Sequence, residues 1–199
     1  LDSMYTTSEG YLVKFTDINF YISDLKNGND VLFDAALYDL RQTQHNLSSN
    51  PGDFSMFENL SGNIGIDSAI NHSDPSAFPN DSPLNISNAG LMHWGWNPGY
   101  IFITIQGKAD TLASGDTFDH NFVFHIGTDQ FNKSFEFNNV VWTPVENGYE
   151  LIWELDLKTF LNNNGSSIDL KHEYFTHSGS GDLILTEKLA DNFLNALTP

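Results

Sequence analysis

The sequence predicts an all-β fold, an antiparallel β-sandwich with a short C-terminal helix, and three observations carry the prediction. Apolar residues alternate at the two-residue period of half-buried strands, as where Tyr11, Val13 and Phe15 fall on one side of a run and Leu12 and Lys14 on the other. The alternating runs are short and are bounded by Gly, Pro, Asn and Asp clusters, which favour turns. Helical periodicity is weak and confined to the last third of the chain. With 199 residues the chain can bury a sizeable core, and residues 1–199 read as a single domain.

The first strand pattern continues through Phe20-Tyr21-Ile22 to the turn Lys26-Asn27-Gly28-Asn29. Further strands are expected over Val31 to Tyr38, Asp53 to Leu60, Tyr100 to Gly107, Asn121 to Gly127, Phe135 to Thr143, Glu150 to Asp156 and Ile168 to Thr176. One or two helical turns are expected over Asp156 to Asn162, stopped by Asn163-Asn164-Gly165. In the tail, Thr186 can cap a helix whose Leu189, Phe193, Leu194 and Leu197 form a core-facing stripe.

Charge narrows the partners. The net charge is −18, from 26 acidic against 8 basic residues, and no Lys or Arg block is present to neutralise phosphates or anionic headgroups. Nucleic acid is therefore not an expected partner, whereas cations and basic proteins are attracted. No stretch approaches the ~20 apolar residues of a membrane span, so no membrane insertion of this segment is expected. The first residues lack a signal-peptide pattern, which suggests a mature or trimmed form. With no cysteine, disulfides, thiolate metal sites and cysteine nucleophiles are excluded.

Chemistry concentrates in the middle of the chain. A proline-rich stretch from His72 to Pro83, running on to Gly90, resists strand assignment and is long enough to suggest a functional loop. It leads into Met92-His93-Trp94-Gly95-Trp96-Asn97-Pro98-Gly99-Tyr100. If Trp94-Gly95-Trp96 is extended, both indoles share one face and His93 points to the other; only a bulge at Gly95 would gather all three. His125 ends the strand pattern Phe122-Val123-Phe124-His125-Ile126, opposite the phenylalanine face. Asp110, Asp116 and Asp119 around Gly115 offer a secondary, calcium-type cation site. No Gly-x-Ser-x-Gly elbow or phosphate loop occurs, and no enzymatic activity is expected.

Three segments together resemble the MbnP-like family, the methanobactin-associated copper-binding proteins and their bacterial relatives. They are Gly65-Ile66-Asp67-Ser68-Ala69-Ile70-Asn71-His72 with Asp74-Pro75, Met92-His93-Trp94-Gly95-Trp96 with Gly99-Tyr100, and Phe124-His125-Ile126-Gly127-Thr128. The resemblance implies a periplasmic or cell-surface β-sandwich that binds one copper ion through two histidines and a kynurenine. The kynurenine is made from tryptophan by a partner dihaem enzyme related to cytochrome peroxidases. Carried over motif by motif, it makes His72 and His125 imidazole ligands, His93 an added metal-ligand candidate, and Trp94 or Trp96 the residue oxidised. The alternative is a non-catalytic surface module binding glycans or cations, with Trp94, Trp96 and Tyr100 as a stacking platform.

Overall fold

The computed structural model describes the whole chain except residues 2, 43–51, 96–98, 116 and 179–181, so the expectations for Trp96 and Asp116 lie outside the described residues. The strands of its main sheet are β1 (Met4–Thr6), β2 (Leu12–Asn27), β3 (Asp30–Asp39), β4 (Asn59–Ile64), β5 (His93–Gly95), β6 (Gly99–Asp110), β7 (His120–Gly127), β8 (Lys133–Asn138) and β9 (Phe175–His177). These form one sheet along the path β9-β7-β6-β2-β4-β8, with β1 and β3 on β2 and β5 on β6. β2 organises the whole. Its first half pairs with β6 and its second half with β4, while β1 and β3 take the other edge. Register shifts between Phe15 and Asp17, and again beyond Ser23, sharpen its twist and curl the sheet.

The fold is mostly β, but not purely antiparallel: β9 runs parallel to β7. A parallel neighbour needs a crossover, and the chain between Gly127 and Phe175 supplies it through β4's partner β8 and a short helix, α3 (Leu157–Leu161). Of the expected strands, Asp53 to Leu60 begins instead as a 3-10 turn, Phe54–Phe57, because the Asp53 carboxylate caps Ser55 N. Ile168 to Thr176 is strand only at its end, since Asp169 O accepts from the backbone of His172 and Glu173 and closes a turn there.

The terminal helix, α4 (Leu183–Ala196), is capped by Asp182, whose carboxylate accepts from Ile184 N and Leu185 N. Thr186, expected as the cap, is instead buried within the helix and bonded to Thr176. Leu189, Phe193 and Leu197 are buried as the stripe requires, and Leu194 is partly so. Phe193 meets Phe20 at 5.0 Å and Phe160 of α3 at 6.3 Å, while Phe160 reaches Phe15 at 6.4 Å. The two helices thus cover one face of the sheet.

The opposite face is covered by residues 65–92, which include the short helices α1 (Ser68–Asn71) and α2 (Ile86–Ala89). Tyr21 OH donates to Pro83 O, and Tyr100 OH donates to Leu84 O. Asn71, fully buried, accepts from Tyr100 N and donates to Asp129 Oδ1, so this covering segment is stitched to the start of β6 and the end of β7.

Candidate metal centre

Strand register assembles the site. Asn19 of β2 opposes Thr104 of β6, Thr104 opposes His125 of β7, and His125 stands beside His177 of β9. Directly opposed residues share a face, so this row points toward residues 65–92 rather than the helices. Above it lies an open cavity of about 980 Å³ whose wall includes Met92, His93, Trp94, Gln106, His125 and His177.

The tryptophan motif enters through a break in the ladder. β5 loses register between His93 and Gly95, and Gly95 has φ +126°, a conformation that favours glycine. Of the two conformations open to the sequence, the irregular one is realised, and His93 and Trp94 both reach the cavity. Trp94 stacks on His177 at 4.3 Å with 29° between planes. The His177 ring lies 5.7 Å from that of His125 at 62°. His93 packs edge-on to Tyr100 at 4.6 Å, and its Nδ1 accepts from Gly95 N. Met92, nearly buried, accepts a hydrogen bond at sulfur from Thr104.

Tyr100 itself is wholly buried, so it forms no part of an exposed stacking platform; that element of the glycan alternative is overturned. Burial, with the Asp74 carboxylate, pushes its hydroxyl up to about 12.

His72 sits apart from this wall. It caps the short helix α1 (Ser68–Asn71), and its Nε2 lies 3.1 Å from Asp129 Oδ2. Burial raises the Asp129 carboxyl, but hydrogen bonds from Ser68, Asn71 and His72 outweigh it and hold the group below the usual carboxylate range. His177, by contrast, is a site residue the motif reading did not select. Its three-residue strand has no periodicity of its own to mark it.

The protonation of His125 suits a ligand. Burial lowers its pKa, the neighbouring His177 lowers it further, and Asp17 pulls the other way. Gln106 Nε2 lies 3.0 Å from His125 Nε2, so the neutral ring accepts there. Histidine-selective NMR should give His125 a midpoint below the ordinary value of about 6.5. Between that midpoint and pH ~6.5 the unfolded chain holds more protons at this residue, so stability from the neutral ring is complete above ~6.5 and falls on acidification. A midpoint above it would contradict the burial seen here.

Gly127 makes room for the indole. A Cβ there would lie 2.7 Å from Trp94 Cζ3 and 2.7 Å from Tyr100 O, and the second is a backbone atom that cannot yield. Gly127→Ala is expected to cost about 1–3 kcal/mol and to lift Trp94 off His177. Thermal melting and tryptophan fluorescence read both effects.

Among the described residues, no three or more His, Cys, Asp or Glu side chains gather as a metal cage. An ion at this cavity would therefore need donors beyond imidazole and carboxylate. Two imidazoles straddling one ion at bonds of ~2 Å put their ring centres up to about 6 Å apart, which the His125 and His177 rings satisfy. Asp110, of the calcium candidates, turns its carboxylate inward to Leu112 N, Gly115 N and Ser114 Oγ.

A family model described as MbnP matches residues 1–178. The chain belongs to the MbnP family. The matched stretch includes His72, His93, Trp94, His125 and His177, whereas α4 lies beyond it. Among solved structures, MbnP from Methylosinus trichosporium is similar at 18% identity, covering 82% of this chain and 70% of that one, with a TM-score of 0.48. No curated protein matches this MbnP family member.

Proposed function

We propose that this protein is an extracytoplasmic, non-enzymatic copper-binding protein, periplasmic or surface-exposed. It holds one ion through His125 and His177 beside a tryptophan oxidised to kynurenine, in a body whose curled sheet we read as an opened sandwich. The observation that carries the reading is the stack of Trp94 on His177, with His177 facing His125. Family membership supplies the copper expectation.

An intact indole offers only an N–H donor and has no in-plane lone pair for a metal. Oxidative cleavage of its C2–C3 bond by an oxidant that a partner supplies, with C2 then lost as formate, leaves an aromatic amine and a ketone, and so supplies the donor that the histidine pair lacks. Trp94 is half-buried at the cavity wall, within reach of an oxidising partner. We take that partner to be the dihaem, cytochrome-peroxidase-like enzyme that the resemblance implies. Bound copper in the cuprous state would supply a soft metal centre, to which the Met92 thioether on the same wall is matched. The His125 lone pair at Nε2 accepts from Gln106 and would have to be released to bind an ion. His72, a ligand by resemblance, has Nε2 engaged by Asp129 and would have to release it to reach an ion.

The test is intact mass and copper content of protein purified from a host carrying the oxidising partner, beside protein made without it. The reading predicts one opened indole and one copper per chain in the first, and neither in the second. Unmodified tryptophans with no copper in both would contradict it.

A further inference from the structure

A second cavity, of about 570 Å³, lies on the same face of the sheet, beyond the Tyr21 to Pro83 hydrogen bond. Asp81 and Pro83 border both cavities. Four carboxylates line the second one, Asp24, Asp34, Asp67 and Asp81, and no Lys or Arg does. Asp24 is paired with Lys26 at 2.6 Å, and Asp67 caps α1 through Ala69 N. Asp34 and Asp81 have no bonded partner among the described residues.

At the floor stands Ser23, 2% exposed, whose Oγ has no hydrogen-bond partner. Two residues along β2 from Tyr21, it points to the same side of the sheet as the tyrosine, whose hydroxyl reaches Pro83 in the cover. A buried hydroxyl left unpaired costs free energy, so a cavity that retains one next to uncompensated carboxylates has the makings of a site. The carboxylates do not converge: among the described residues no three acidic or histidine side chains form a cage. Between them lie Ile70, Phe78 and Leu84, an apolar wall. Negative charge spread around an apolar surface suits an elongated organic cation better than a point-like metal.

We propose that this cavity binds an aliphatic diamine, its methylenes against Phe78 and Ile70, and its ammonium groups shared among Asp34, Asp81 and the Ser23 hydroxyl. The chain's charge of −18 concentrates such cations at its surface. The site shares Asp81 and Pro83 with the histidine cavity but none of its histidines.

Calorimetric titration of the full chain with cadaverine at low ionic strength tests the proposal. It should show one saturable site, weakened about tenfold or more in Asp34→Asn/Asp81→Asn and again in Ser23→Ala, each loss corresponding to a charge-assisted hydrogen bond. Without ligand, Ser23→Ala should melt no lower than the parent, because it removes an unpaired hydroxyl. His177→Ala should leave cadaverine binding unchanged. The proposal is overturned by any of four results: no saturable binding, equal binding in the Asp and Ser variants, equal binding of the uncharged pentanediol, or displacement of cadaverine by calcium at lower concentration.

Discussion

His177→Ala is expected to lower the copper affinity of the matured protein by more than about 100-fold, beyond the 10–100-fold that loss of an outer-sphere partner brings. Two structural facts underlie the size of the effect. His177 is the imidazole nearest His125 in register, and it is the ring on which Trp94 rests. On the proposed reading, truncation removes one ligand and the support of another. His125→Ala should match it. His72→Ala should cost less, because that ring meets Asp129 and is not part of the cavity wall. Competition with a chromophoric copper chelator measures all three, with melting temperatures confirming that each variant is folded. Equal losses for His72→Ala and His177→Ala, or none for His177→Ala, would show that the ligand set is drawn differently.

Gly107→Ala carries the largest expected cost in stability. A methyl at this position would lie 2.3 Å from Phe122 Cζ and 2.4 Å from Lys14 O. The carbonyl belongs to β2, paired through Lys14 and Phe15 with β6, and cannot retreat without breaking that ladder. Nor is the ring free, since Phe122 meets Phe15 at 5.7 Å and Phe124 at 5.5 Å. The substitution is expected to cost about 3 kcal/mol or more, the upper end for overpacking. At roughly 2–4 °C per kcal/mol for a chain of this size, melting should fall by about 6–12 °C. Urea unfolding of the same variant gives the free energy directly. A loss under about 0.5 kcal/mol, the level of an ordinary surface substitution, would mean that the β2–β6 contact is looser than described.

Much of this fold was legible in the sequence where period and burial coincide. β2, β3, β6 and β7 follow alternating runs whose apolar side meets the helices, and Asn164 and Gly165, both with positive φ, turn the chain after α3 as the Asn-Gly signal requires. The strand expected over Asp53 to Leu60 failed for a local reason. Phe54 and Met56 alternate in the sequence, but Asp53, two residues before Ser55, offers the backbone a competing cap. Thr186 was misplaced as a cap because Asp182, four residues earlier, performs the same hydrogen bonding on a longer helix.

The site was legible in part. His93, Trp94 and His125 carry motif signals, and the structure brings all three to one cavity wall, together with His177. His177 gave no such signal, because its neighbour in space is 52 residues earlier and reached only by a parallel pairing of three residues. The break at Gly95 was similarly open in sequence: glycine permits the bulge, and only the pairing with Gly99 and Tyr100 selects it. Ser23 and the second cavity left no trace at all, since a lone serine within an apolar strand reads as an ordinary polar interruption.

The most direct measurement is the position of copper in crystals of protein matured alongside its oxidising partner, located by anomalous scattering at the copper edge. The account predicts a single peak between the His125 and His177 rings, next to an opened Trp94 side chain. A peak at His72 and Asp129, or an intact Trp94 beside fully bound copper, would contradict it.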